Sequence, residues 1–154
     1  MASLSRLLSI PLFAAAVLSH AADQSTTLVG KWKTKTVSVP LSGRQAEAAK
    51  LFLKSSRITF SKNKSFTMLL GGPMTGTWKV VGRNVELHIT EVQGQKMGDI
   101  IEIARINYAN DPSPRHKAAL DELTKPLMAV LSTDGKTLTL KPATGKAVVA
   151  FIKG

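Results

Sequence analysis

The stretch Gly76-Thr77-Trp78-Lys79-Val80-Val81-Gly82-Arg83-Asn84-Val85-Glu86-Leu87-His88-Ile89-Thr90 decides the fold. Before the turn, Gly76, Trp78 and Val80 share one face. After it, Val85, Leu87 and Ile89 alternate with Glu86, His88 and Thr90. A period of two sends one set of side chains into a core and the other to solvent, which is the pattern of a half-buried strand. Gly82-Arg83-Asn84 supplies turn chemistry between the runs. The segment therefore predicts a β-hairpin with one apolar face.

Working outward, the same rhythm recurs. Arg57 to Phe60 and Ser65 to Leu70 flank Ser61-Lys62-Asn63-Lys64, with Ile58, Phe60, Phe66 and Met68 as the inward set, and Gly71-Gly72-Pro73 breaks the chain. Earlier still, Leu28 and Trp32 fall on even positions while Lys31, Lys33 and Lys35 fall on odd ones, a first strand ended by Pro40 and Gly43. Between these strands the period changes. Ala46, Ala49, Phe52 and Leu53 recur at helical spacing, with Arg44, Glu47, Lys50 and Lys54 left for solvent, predicting a helix from about Arg44 to Leu53.

Downstream, residues 91–113 are the least determined. A loop begins at Gly94, Ile100 to Ile106 fits a strand or a helix edge, and 107–114 reads as loop. Ser113 then has the character of an N-cap with Pro114 at the first helical position, opening a short helix over 114–124 that Pro126 closes. Leu127 to Ser132 meets Thr137 to Lys141 across Asp134-Gly135, a strong hairpin signal, and Ala143-Thr144-Gly145-Lys146 turns into a last strand, Ala147 to Lys153. Eight or nine strands joined mostly by short turns predict an all-β fold. Its expected form is an antiparallel up-and-down meander curled into a barrel or half-barrel, with one helix after the first strand and a second near residues 114–124.

The N-terminus reads as a secretory signal: Arg6, an apolar run from Leu7 to Leu18, and small residues at Ser19 and Ala21. The run is short of the roughly 20 residues that span a bilayer. The expectation is cleavage near Ala21, leaving a single domain over 22–154 that is periplasmic or extracellular, with no transmembrane span. Cysteine is absent, so stability rests on a core rather than on disulfides. The 154 residues carry a formal charge of +11, which fits anionic partners and, since the lysines are spread along the chain, also a solvated surface that keeps a β protein soluble and its edges unpaired.

Gly30-Lys31-Trp32 on the first strand matches the G-x-W signature that opens lipocalins. The phrases at 76–80, 82–87 and 132–140 resemble those of small bacterial lipocalin-like domains of unassigned function. The resemblance implies a barrel whose floor is closed by Trp32, with the basic Lys153 of the last strand lying over it. This chain departs from the family in having lysine rather than arginine at that place, no C-terminal helix and no disulfide, and in repeating the signature as Gly76-Thr77-Trp78.

Chemistry-bearing patterns are sparse. Glu86, His88 and Thr90 share a strand face, but a metal site needs three or four convergent ligands and no other spacing supplies them. His116 reads as surface. There is no G-x-S-x-G, no phosphate loop, and Asp121 and Glu122 diverge on their helix, while Asp99 and Glu102 lie in the undetermined segment. The expectation is a non-catalytic protein without metal or cofactor. Two partner classes remain. A small apolar ligand would lie among Trp32, Phe60, Phe66, Met68 and Trp78, and would need a cavity of some hundreds of Å³. Alternatively, Lys31, Lys33, Lys35, Arg57, Lys62 and Lys64 form a basic surface for an anionic envelope polymer, provided the first two strands are adjacent. Nucleic acid is disfavoured, because the aromatics fall on apolar faces instead of being interleaved with the lysines.

Overall fold

The computed structural model describes residues 24–141 and 147–154. The expected leader and the turn at 143–146 lie outside the described residues. Among the described residues nine strands form, β1 (Gly30–Ser38), β2 (Arg57–Phe60), β3 (Ser65–Leu69), β4 (Pro73–Val81), β5 (Asn84–Val92), β6 (Gln95–Lys96), β7 (Leu127–Leu131), β8 (Thr137–Lys141) and β9 (Val148–Lys153). Three labelled helices join them: α1 (Gly43–Lys54), α2 (Met97–Asn110) and α3 (Pro114–Thr124). A further helical stretch covers 24–28 and leads into β1.

The strand order is β4-β3-β2-β1-β9-β8-β7-β5-β6, and β4 also pairs with β5. That extra pairing closes eight strands into an antiparallel up-and-down barrel, with β6 a short hairpin extension of β5. The barrel is lipocalin-like, and closure removes the open edges that an incomplete meander would expose. One end, the floor, holds the turns β2–β3, β4–β5 and β7–β8 together with the start of β1 and the end of β9. The other, the mouth, holds the connections β1–β2, β3–β4 and β5–β7, together with the end of β8 and the start of β9.

The decisive hairpin forms, with Trp78 opposite Leu87 and Val80 opposite Val85. Its inward set joins Leu28, Trp32, Ile58, Phe60, Phe66, Met68, Leu131, Leu138, Val149 and Phe151 in one buried cluster. Two bulges adjust the alternation. In β1 the register shifts between Thr34 and Thr36, so inward packing passes from Trp32 to Val37, an odd position that strict alternation would have sent to solvent. The other lies in β5, where Glu91 and Ile89 pair with the consecutive Thr75 and Gly76 of β4 and Thr90 is the extra residue. A Cβ on Gly76 would lie 2.1 Å from the His88 carbonyl oxygen and 2.8 Å from the Phe66 ring, so this position has room only for glycine.

The segment left undetermined is helical. Met97–Asn110 forms α2, so residues 107–110 extend a helix where a loop was expected, and Gly94 sits in the β5–β6 turn with φ of +80°. The helix after the first strand is present, but its buried face is narrower than its spacing implied. Only Ala46 is buried and Leu53 packs on the core, while Phe52 is 60% exposed. Its ring instead lies over Gly71 of the β3–β4 turn, where a Cβ would come within 2.7 Å of it. Helix α1 thus rests along the rim of the mouth and does not enter the barrel.

Candidate functional site at the mouth of the barrel

The floor is filled by side chains. The indole N–H of Trp32 donates to the Leu28 carbonyl (2.8 Å) and that of Trp78 to the Ser65 carbonyl (3.0 Å), so neither buried ring carries an unpaired donor. Phe60 meets Trp78 edge-on with centroids 5.6 Å apart and Phe66 at 6.4 Å. The repeated G-x-W signature is repeated in space as well. Lys153 Nζ lies 5.8 Å from the Trp32 ring centroid, as the lipocalin resemblance implied, and Lys64 Nζ lies 4.1 Å from that of Trp78. Both lysines are placed for cation–π attraction. Lys153 also donates to the Thr27 carbonyl.

At the mouth the architecture opens. Strand β5 pairs with β7 only from Asn84 to Leu87, yet runs on to Val92. Helices α2 and α3, which lie between β5 and β7 in the chain, pack on each other, and α2 packs beside β5. Between them and the rim is a cleft of about 760 Å³. Leu70, Met74, Ile89 and Leu127 line it and also pack on the core, while His88, Met128 and Lys141 reach it from the outward faces of their strands. Met97 and Ile101 of α2, Leu123 of α3 and Met128 of β7 complete its apolar wall. His88, Glu122, Lys125 and Lys141 bring polar groups to its border. A smaller, more polar cleft of about 310 Å³ lies between β1 and α1, lined by Lys35, Glu47, Lys50 and Lys54 among others.

Trp32, Phe60, Phe66, Met68 and Trp78, the residues expected to hold a ligand, are at most 3% exposed, and none of them lines either cleft. Met68 comes nearest, since its cross-strand partner Met74 does line the larger one. The lining that the sequence reading missed sits at strand ends and on α2 and α3. The available signal was the run of apolar residues in Met97 to Ile106, too dense for a helix with only one covered face.

His88 Nε2 lies 3.1 Å from Glu86 Oε2, and Lys79 Nζ lies 3.0 Å from the same oxygen. The Lys79 hydrogen bond, with a smaller contribution from His88, holds the Glu86 carboxyl below its ordinary value. Thr90, third on that strand face, instead lies 3.3 Å from the Thr75 carbonyl, to which its hydroxyl donates. Among the described residues no group of three or more His, Cys, Asp or Glu is placed to hold a metal ion. His116 Nδ1 lies 2.9 Å from the Asp111 carbonyl oxygen, at the start of α3.

The basic set divides. Strands β1 and β2 are adjacent, with Lys33 directly opposite Arg57 and Lys31 opposite Thr59. Lys62 and Lys64 stand apart from them in the β2–β3 turn. All six are exposed. No described helix is long and apolar enough to cross a membrane.

No family model matches the chain, and no curated protein matches it. Among solved structures it is similar to a DUF4847 family protein from Bacteroides vulgatus ATCC 8482, at 15% identity and a TM-score of 0.46 over 86% of this chain and 97% of the other. It is also similar to a lipocalin-like protein from Bacteroides uniformis ATCC 8492, at 15% identity and 0.45 over 83% and 99%. An uncharacterized protein from Bacteroides eggerthii DSM 20697 matches at 20% identity and 0.46 over 82% and 99%.

Proposed function

We propose that this lipocalin-like barrel is a non-catalytic binding protein that holds a small, largely apolar molecule in the cleft at its mouth. The observation that carries the reading is the cleft itself, about 760 Å³ with an apolar wall drawn from three strands, the β3–β4 turn and two helices. Ligand sites usually measure some hundreds of Å³, with few polar groups on a mostly apolar lining. Met74, Met97 and Met128 give that lining unbranched, polarisable side chains that adapt to irregular ligands. Lys125 and Lys141 at the border favour a ligand whose polar end is anionic, such as a fatty acid carboxylate.

The test is titration with a fluorescent fatty acid, comparing the wild type with Ile101→Asp and Leu123→Asp. Both residues belong to helices that contain no buried residue, so the barrel should stay folded. Saturable binding in the wild type, weakened at least about tenfold by either carboxylate, is the expected result, since an unpaired charge in an apolar site costs several times RT. Binding that survives both substitutions would place the ligand elsewhere and remove the reading.

A further inference from the structure

Most carboxylates of the described residues are gathered on one side of the barrel. Among the described strands, carboxylates occur only on β5, as Glu86 and Glu91. The others lie mainly on α2 and α3 or beside them, at Asp99, Glu102, Asp111, Asp121 and Glu122, with Glu47 on α1 and Asp134 in the β7–β8 turn. In a closed order of β1, β2, β3, β4, β5, β7, β8 and β9, strand β1 stands diametrically across from β5. Strand β1 is the one that carries Lys31, Lys33 and Lys35. The barrel therefore has a basic wall and, opposite it, a wall that holds most of its acid.

The basic wall also opposes like with like. Lys33 and Arg57 are direct cross-strand partners, an arrangement that costs stability when both are cations. Neither they nor Lys31 takes part in any ion pair among the described residues. Uncompensated cations held side by side on a rigid strand pair form a preorganised anion-binding strip, spaced at about 7 Å for alternate residues of a strand. Its surroundings narrow the partner. The aromatic rings of Trp32, Phe60, Phe66 and Trp78 are buried, so the strip has no platform for stacked bases. The large exposed apolar residues lie on α1 and α2, just before α1, and at the ends of β4 and β9 (Val81 and Val148); none is on β1 or β2, so the strip itself presents nothing that would enter a bilayer. What the strip offers beside charge is hydroxyl groups, from Thr36 and Thr59.

We infer that the outer face of β1 and β2, centred on Lys31, Lys33 and Arg57, binds an anionic polysaccharide. The site is independent of the mouth cleft and stands whether or not that cleft holds a ligand. Of the two clefts only the smaller, at the rim, includes a residue of the original basic set, Lys35.

The experiment measures binding of a heparin-derived decasaccharide to the full chain by calorimetry at low and high salt. The triple variant Lys31→Glu, Lys33→Glu, Arg57→Glu is compared with Lys96→Glu, Arg105→Glu, Arg115→Glu, which changes the net charge equally on the α2–α3 side. The expected result is binding that weakens steeply with salt, lost by at least about tenfold in the first variant and largely kept in the second. Equal loss in both would mean that only the overall charge matters, and would overturn the site. So would absence of wild-type binding at low salt. Tighter binding of a single-stranded oligonucleotide, or of vesicles containing an anionic lipid, would overturn the class of partner. Lys33→Glu alone separates binding from folding. It places a carboxylate opposite Arg57, so thermal stability should rise or hold while affinity falls. A purely structural role would move both in the same direction.

Discussion

Trp32 and Lys31 are neighbours in sequence with opposite surroundings. The indole is 1% exposed, hydrogen-bonded to Leu28 and covered by Lys153, whereas the Lys31 side chain is in solvent. Trp32→Ala should therefore destabilise the barrel by about 3–5 kcal/mol, the usual cost of truncating a buried aromatic. Lys31→Ala should change stability by less than about 0.5 kcal/mol. A denaturant titration of both variants checks this, and equal shifts would contradict the register of β1. This alternation was legible in the sequence because period two is a purely local property. The role of Gly76 was not. Its own neighbours in the chain give no sign that the His88 carbonyl and the Phe66 ring close on it from two adjacent strands.

Among the elements, α3 was legible and α2 was not. Ser113 has backbone angles outside the helix and its hydroxyl accepts from the His116 N–H at 3.3 Å, with Pro114 following, so the start of α3 is written in capping chemistry. Ser113→Ala should cost about 1 kcal/mol of local helix stability. Because α3 contains no buried residue, that loss should appear as faster amide hydrogen exchange within α3, with the denaturant midpoint of the barrel almost unmoved. A midpoint shift as large as that of Trp32→Ala would show α3 to be part of the cooperative core. Helix α2 has no capping side chain, and its isoleucines serve two surroundings. Ile101 lines the cleft, while Ile103 and Ile106 are exposed. A run whose apolar residues face in several directions has no clear period, which is why Ile100 to Ile106 was ambiguous. Phe52 shows the converse, since helical spacing placed it inward and the rim position of α1 turned it over Gly71.

For the whole molecule, barrel closure sets the mouth cleft and the basic strip on different walls. The cleft opens beside β5 and β7, under α2 and α3, while the strip lies on the outer face of β1 and β2. Two sites on one rigid barrel with no shared side chains should bind additively. Saturating the cleft with fatty acid should leave the decasaccharide affinity within about twofold, and the reverse titration should agree, as linkage requires. A large change in either direction would mean that the sites communicate or coincide.

The sequence by itself determined the alternation of the strands, the positions of most turns, the helix after the first strand and the cap of α3, while the lipocalin resemblance implied Lys153 over Trp32. These follow from periodicity, turn chemistry and short motifs, each of which acts over a few residues. The tertiary structure alone decided that the meander closes, because closure rests on the pairing of β1 with β9, strands from opposite ends of the described chain. It also decided that the largest aromatics pack the floor while the open volume lies at the mouth, among residues 70–141 brought together from strand ends and two helices. A cavity is the space that packing leaves unfilled, and that depends on how far each strand outruns its neighbour. Strand β5 continues past its last pair with β7, and no local pattern records that difference in length.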